Sequence, residues 1–324
     1  MSQTRTISAL LAEYLMKKNR EKWSTRQWRQ RAFAQLIAAI GDIDCGSITI
    51  CEIEDFESFL YGKDLSPNSI RSYLKAIGPV LKYGCRRGYR HGDPFDNFRL
   101  PRAVDGEIRI YSDDEIRQLL AAADRLWKAK ILAALTAGLR RSEVLNLTIN
   151  DIDFAAGRIT VQPKKETAST WRWTPKSYQR RTVPMTDDLN RILSAILIDD
   201  VPPGQPYILL SEERYWYLQH RGSGMTDRQK LCPDENFSPA FRRLRQTAVL
   251  QSGTFHDLRR TCLTKWSYAL PAHELKKLAG HASIETTMRY YLGVGSDVLD
   301  RAKHATNLSA YKAVGATGLE PATS

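Results

Sequence analysis

The first hundred residues repeat an apolar side chain every three or four positions, which is the periodicity of an amphipathic helix. Four segments carry this pattern, at residues 7–16, 28–40, 52–60 and 69–83. Ser66 and Pro67 supply a start signal for the fourth segment, and Gly88 and Pro94 supply stop signals after it. The pattern therefore predicts an all-helical first domain over residues 1–103.

A second domain follows a short stretch that mixes glycine with charged residues, and we predict a linker at residues 104–111. Ser112 and Glu115 form the S-x-x-E pattern of a helix start. Helical spacing continues over residues 126–135, 142–147, 186–197 and 238–250, whereas residues 148–154, 158–162 and 181–185 resemble short strands. Residues 202–235 have no pattern that predicts an element. The chain is thus predicted to be mainly α with a small antiparallel β-sheet, its second domain spanning 112–295 and a C-terminal segment spanning 296–324.

Charge and cysteine content narrow the class of protein. The 48 lysines and arginines exceed the 36 acidic residues by 12, which favours a polyanionic partner such as nucleic acid. Five cysteines without a CxxC pair or metal-ligand spacing indicate reduced thiols, and no structural metal or cofactor is expected. No apolar run reaches the roughly 18 residues that span a membrane, so a cytoplasmic location is expected.

Basic residues recur on the predicted helices of the first domain and before the third strand. A charge run is often only a solvated surface, but two runs on a compact helical unit favour a DNA-binding surface. The candidate DNA-binding residues are Arg71, Lys75, Lys82, Arg86, Arg87, Arg180 and Arg181.

The candidate chemistry lies in three motifs of the second domain. Arg140 and Glu143 lie in the first, His256 and Arg259 in the second, and the third is Gly280-His281 with Tyr290 nine residues after the histidine. Cleaving a phosphodiester develops negative charge on the non-bridging oxygens, which fixed arginines stabilise through their planar fork of donors. The spacing i, i+3 places His256 and Arg259 on one helix face, so both side chains can contact one phosphate. These residues indicate attack on DNA by a protein hydroxyl.

Tyr290 is the predicted nucleophile, and His256 is the candidate acceptor of its proton. The leaving sugar hydroxyl needs a proton, for which a lysine near several arginines is suited. The connection of residues 163–180 is long, so two countings compete. Counting residues back from the third strand favours Lys176, whereas counting forward from the second strand favours Lys164 or Lys165. We predict Lys176, because the downstream strand fixes its register. Glu143 is expected to support the site from behind by pairing with a cation.

These motifs resemble the tyrosine recombinase (phage integrase) family. The resemblance assigns Arg140, His256, Arg259, His281 and Tyr290 to the family's catalytic positions, and SPNSIRSYLKAI resembles a helix of its N-terminal domain. It implies a two-domain clamp on double-stranded DNA, a 3′-phosphotyrosyl intermediate without metal or cofactor, and a tetramer on two duplexes. Residues 294–314 would dock onto a neighbouring protomer, and the protein would be associated with the nucleoid.

The resemblance leaves two alternatives open, which are a type IB topoisomerase that only relaxes DNA and a catalytically silent DNA-binding accessory protein. It implies DNA integration or recombination, as by a mobile element, but not the DNA site.

Overall fold

The computed structural model describes residues 5–18, 21, 23–104, 108–176, 180–226, 229–230 and 232–292. The chain forms two compact units, residues 1–106 and 107–324. Each unit has its own apolar core. The prediction of a mainly helical chain with a small antiparallel sheet is confirmed.

The first unit contains four helices around one core. They are α1 (Ile7–Lys17), α2 (Trp23–Ile40), α3 (Ile50–Tyr61) and α4 (Pro67–Arg86). Thr49 and Glu52 form a capping box at the start of α3, and Ser66 caps α4 with Pro67 in the first turn. Helix α2 begins five residues earlier than predicted because its polar first turn carries no apolar periodicity.

Four basic residues form one stripe along α4. At 100° per residue, Arg71, Lys75, Lys82 and Arg86 fall within an arc of about 60°. Lys75, Lys82 and Arg86 are exposed, whereas Arg71 is half-buried and donates a 2.7 Å hydrogen bond to the Pro101 carbonyl. Arg87 follows the last turn and pairs with Glu13 at 3.3 Å.

The second unit surrounds a three-stranded antiparallel sheet with helices. The strands are β1 (Ile152–Asp153), β2 (Arg158–Val161) and β3 (Arg181–Pro184), in the order β1-β2-β3, with Val161 opposite Arg181. The helices are α5 (Asp113–Ala122), α6 (Arg125–Leu135), α7 (Arg141–Leu145), α8 (Asp187–Asp199), α9 (Glu212–Arg221), α10 (Phe237–Thr247), α11 (Phe255–Ala269), α12 (Ala272–Ala279) and α13 (Ile284–Leu292).

Two details differ from the sequence-based expectation. The strand predicted at 148–154 is only two residues long, because the Asp151 carboxylate accepts from both the backbone and the hydroxyl of Thr148 and closes a 3₁₀ turn. Residues 108–111, assigned to the linker, pack on the second unit. Tyr111 donates its backbone N–H to the Thr261 hydroxyl at 2.8 Å.

The long connection between β2 and β3 contains a second small hairpin. Lys164 and Trp173 exchange backbone hydrogen bonds, and Thr167 donates to the Thr170 carbonyl, so residues 164–167 and 170–173 form an antiparallel pair that we call the ribbon. Residues 174–180 then lead from the ribbon to β3. The ribbon explains why counting from the second strand and counting from the third strand gave different candidate lysines. The extra residues form a separate hairpin and do not lengthen the one between β2 and β3.

The segment of residues 202–235, which had no predicted element, contains α9 and packs against the ribbon. Tyr207 stacks on Trp171 with ring centroids 3.8 Å apart, and its hydroxyl accepts the Trp171 backbone N–H. The Tyr215 hydroxyl of α9 donates to the Ser169 carbonyl at 3.1 Å. The two irregular parts of the second unit therefore stabilise each other. Within the described ranges, no helix combines the length and apolar character that crossing a membrane requires.

Candidate active site

A glycine turn places Arg140 at the start of α7. Gly138 has φ +61°, and a Cβ there would lie 3.3 Å from the Trp266 ring, so this position favours glycine for both conformation and space. Arg140 donates its backbone N–H to Glu143 at 2.8 Å and its guanidinium to the same carboxylate at 2.9 Å. Its remaining terminal nitrogen donates to the Gly280 carbonyl at 2.9 Å. The arginine is thereby fixed by contacts on both sides.

Glu143 is shared between two arginines. Arg181 of β3 forms two parallel hydrogen bonds with its carboxylate, at 2.9 and 2.6 Å, and donates a third to the Leu278 carbonyl at 2.9 Å. Sequence analysis assigned Arg181 to DNA, but the structure places this side chain inside the protein, 7% exposed, with all three guanidinium nitrogens engaged. Its neighbour Arg180 is exposed. Glu143 thus pairs with both Arg140 and Arg181.

Helix α11 carries His256 and Arg259. The helix begins with a capping box in which Asp257 accepts from Thr254, and this fixes its first turn. The Arg259 side chain is 1% exposed, and its guanidinium donates to the carbonyls of Gly138 and Ala279. His256 lies one turn earlier with its side chain open to solvent.

A left-handed glycine presents the second histidine. Gly280 ends α12 with φ 60° and ψ 47°, and a Cβ there would approach the Arg181 Cδ to 3.1 Å. His281 follows immediately, with Nε2 3.5 Å from an Arg259 terminal nitrogen. Its other ring nitrogen, Nδ1, lies 3.0 Å from the Thr287 hydroxyl.

Tyr290 lies on α13, and its ring is beside that of His281. The two rings are nearly parallel, with centroids 5.9 Å apart and an interplanar angle of 15°. Tyr290 is 7% exposed, and Ser267 donates its hydroxyl to the Tyr290 carbonyl at 3.1 Å. The adjacent Tyr291 donates its hydroxyl to the Leu270 carbonyl, which gives it a packing role.

The electrostatics favour an anionic ligand. Arg140, Arg181 and Arg259 supply three positive charges against the one negative charge of Glu143, which leaves a surplus of two. Burial opposes ionisation of Glu143, but the hydrogen bonds and charge of Arg181, together with the charge of Arg140, lower its pKa to about 2. Burial and the nearby Arg140 lower the pKa of Arg259 to about 9, so it stays charged at neutral pH.

The histidines and the tyrosine are uncharged in this environment. Desolvation and the charge of Arg259 lower the pKa of both His256 and His281 to about 4. Burial raises the pKa of the Tyr290 phenol despite the neighbouring arginines. The cations alone do not ionise Tyr290, and its proton must leave during the reaction.

The candidate lysines have different surroundings. Lys164 lies in the ribbon, where its ammonium donates to Asp151 at 2.6 Å and to the Gln162 carbonyl at 3.2 Å. Of this ion pair, 9% of the Lys164 side chain and 1% of the Asp151 side chain are exposed. Lys165 and Lys176 are exposed. In the described ranges, neither side chain makes an ion pair.

The structure thus assembles Arg140, Glu143, Arg259, His281 and Tyr290 around the turn at Gly280. Sequence reasoning missed the inward orientation of Arg181 and the contact of Thr287 with His281. The alternation in Arg181-Thr182-Val183 was a usable signal for the first, because Arg181 shares the inward side of β3 with Val183. The second had no signal beyond its position one helical turn before Tyr290. Residues 294–314, predicted to dock onto a neighbour, lie outside the described residues.

Comparisons with known proteins match both units of the chain. The model of the phage integrase family matches residues 109–293, and that of the phage integrase SAM-like domain matches residues 6–100. The chain is 23% identical to the tyrosine recombinase XerC of Oceanobacillus iheyensis over 304 residues, which is 90% of this chain and 92% of that one. It is 23% identical to the integrase of Salmonella phage P22 over 231 residues, which is 68% of this chain and 52% of that one.

Solved structures share the fold. An integrase of the transposon Tn1549 in complex with transposon right end DNA matches with a TM-score of 0.72 and 18% identity, covering 93% of this chain and 99% of that one. A lambda integrase tetramer bound to a Holliday junction matches with a TM-score of 0.66 and 15% identity, covering 89% of this chain and 78% of that one.

Proposed function

The chain belongs to the phage integrase family, and we propose that it is a site-specific DNA recombinase that cleaves and rejoins DNA through Tyr290. The convergence of two guanidiniums, an uncharged imidazole and a buried phenol at one glycine turn carries this proposal. Closely spaced arginines with surplus charge are stabilised by a bound phosphate, and their donors are already aimed when the reaction begins.

In the proposed reaction, the Tyr290 oxygen attacks the scissile phosphorus and the bond to the 5′ oxygen breaks. The products are a 3′-phosphotyrosyl link and a free 5′-hydroxyl, and attack by a partner 5′-hydroxyl reverses the step. Arg140, Arg259 and His281 donate to the non-bridging oxygens as charge develops there. His256, one turn from Arg259, accepts the phenol proton.

We assign the leaving-group proton to Lys176. Lys164 already donates to Asp151 in a buried ion pair, and moving it to DNA would leave that carboxylate buried and uncompensated. Lys176 is exposed, with no such bond to break, in the segment that leads from the ribbon to β3. When DNA is bound, this exposed ammonium is free to approach the leaving oxygen and donate its proton.

The proposed reaction also implies how many protomers act together on DNA. Exchanging strands between two duplexes requires one tyrosine for each of four strands, so we propose that four protomers act on two duplexes. The tetramer of lambda integrase on a Holliday junction, which shares this fold, supports that stoichiometry. Residues 294–314 are the proposed contact between protomers. Duplex DNA is the proposed partner, with the exposed cations of α4 on its backbone.

The test is covalent trapping on a nicked suicide substrate built from the DNA that flanks the gene, in which the released fragment diffuses away. Wild-type protein should form an adduct in the presence of a metal chelator. Tyr290→Phe should bind the same DNA without forming one, and Tyr291→Phe is the matched control that should still react. An adduct that persists in Tyr290→Phe would overturn the assignment of the nucleophile. Relaxation of plasmid DNA without recombinants on a two-site substrate would instead indicate a topoisomerase.

A further inference from the structure

The Thr287 hydroxyl lies at a point where it can control one catalytic side chain. Thr287 is 0% exposed and lies on α13, three residues before Tyr290. Its Oγ1 is 3.0 Å from His281 Nδ1 and has no other hydrogen-bond partner among the described residues. The contact therefore joins the turn that presents His281 to the helix that carries Tyr290.

We infer that Thr287 is a positioning residue that donates its hydroxyl proton to His281 Nδ1 and thereby places the imidazole proton on Nε2, facing the phosphate pocket. The effect of this hydrogen bond on catalysis rests on the proposed function. The position of the imidazole proton is a property of the protein without DNA. The His281 imidazole is uncharged at neutral pH, since desolvation and Arg259 lower its pKa to about 4. A neutral ring carries one proton, and the partner of one nitrogen decides which nitrogen holds it.

The direction of the hydrogen bond follows from burial. If Nδ1 carried the proton and donated to Thr287, the threonine proton would be left without an acceptor in a fully buried place. If Thr287 donates, only acceptor lone pairs are left unused. Buried donors without partners are rarer in proteins than acceptors with spare lone pairs. The second arrangement is therefore favoured.

The other ring nitrogen gives a second argument. Nε2 lies 3.5 Å from an Arg259 nitrogen, which already donates to the Ala279 carbonyl at 2.5 Å. At 3.5 Å an N–H to N hydrogen bond is weak, whereas the Thr287 contact has an ordinary length. With the proton on Nε2, the histidine and Arg259 present two donors side by side, and a non-bridging phosphate oxygen placed between them would accept from both.

Thr287→Val is the direct test, because valine keeps the shape and removes the hydroxyl. We expect single-turnover formation of the covalent adduct to fall by about tenfold to a hundredfold, as for other side chains that orient a reactive histidine. DNA affinity should be unchanged. Thr287→Ser keeps the hydroxyl and should react within about threefold of the wild-type rate. This difference is smaller than the loss expected for Thr287→Val.

A double-mutant cycle separates positioning from a general loss of structure. In a His281→Ala background, Thr287→Val should cause little further loss, because there is no ring left to orient. A further tenfold loss there, or a valine variant as fast as wild type, would overturn the inference.

An NMR measurement is independent of activity and of how the variants fold. The ring nitrogen shifts of His281 in the free wild-type protein should show the proton on Nε2, and a proton on Nδ1 would refute the assignment even if the enzyme is active. Failure of the proposed function would appear separately, as wild-type protein that forms no adduct.

Discussion

Arg181 holds the Glu143 carboxylate in two parallel hydrogen bonds, and both side chains are buried. Through its third nitrogen Arg181 also holds the end of α12, just before the turn that presents His281. One guanidinium thus joins the start of α7, strand β3 and the end of α12. Arg140, which we propose binds the phosphate, depends on Arg181 indirectly, because both arginines share Glu143.

We expect Arg181→Ala to destabilise the second unit by about 3 to 5 kcal/mol, because removing one partner of a buried ion pair leaves the other charge uncompensated. Urea unfolding followed by the tryptophans measures the change. Arg180→Ala is the matched control. That side chain is exposed, so its loss should weaken DNA binding without changing the unfolding midpoint. Equal midpoints for Arg181→Ala and wild type would contradict the role given to this pair.

The depressed pKa of His281 predicts a dependence of stability on pH. Its pKa of about 4 in the folded protein is below the 6.5 of a histidine in an unfolded chain, so between these values the unfolded chain binds more protons. Its contribution to stability is therefore fully present above about pH 6.5 and is lost as the pH falls towards 4. A His281→Asn variant should show a shallower decline over this window in urea unfolding. A decline as steep as that of wild type would place the titration elsewhere.

The three candidate lysines can be separated by the leaving group. Lys176→Ala should slow cleavage of ordinary DNA by about a hundredfold or more, the size of a general-acid contribution. A substrate with sulfur at the bridging 5′ position should restore the rate, because a thiolate leaves without needing a proton. Single-turnover cleavage of both substrates measures this. Lys165→Ala tests the third candidate, and it should leave both rates unchanged if Lys176 is the general acid.

Lys164→Met should behave differently. It leaves Asp151 buried without its partner, so we expect lower stability and no selective rescue by the sulfur substrate. If Lys164→Met is rescued by sulfur and Lys176→Ala is not, the assignment of the two lysines is reversed.

Much of the fold and the convergence of the motifs followed from the sequence, because both depend on local spacing. The helix periodicity located α1 and α4, and the capping pattern at Ser112 is present as predicted. What the sequence did not reveal depends on partners far apart in the chain. Trp171 packs on Tyr207, 36 residues away, and periodicity carries no information about such pairs.

The same limit explains which residues of the site could be predicted from the sequence. Arg140 and Arg259 were found because their motifs are compact, whereas Arg181 was assigned to DNA because a charged residue beside another charged residue resembles a solvated surface. In β3, which pairs with β2, Arg181 lies on the same inward side as Val183. The environment of Lys164 likewise depended on Asp151, which the sequence placed in a strand rather than in a turn.

The basic stripe on α4 predicts how DNA binding responds to salt. Each phosphate contact by a cation contributes about 0.9 to the slope of log affinity against log salt concentration. Lys75→Ala and Lys82→Ala should each reduce that slope by about 0.9, and the double variant by about twice as much. Both side chains are exposed on one side of the helix, so neither change should alter stability.

Fluorescence anisotropy over a series of salt concentrations measures the slopes. Arg117→Ala is the matched control, because Arg117 pairs with Asp114 on α5, and its slope should equal that of wild type. Unchanged slopes in the Lys75 and Lys82 variants would show that this surface of α4 is only solvated.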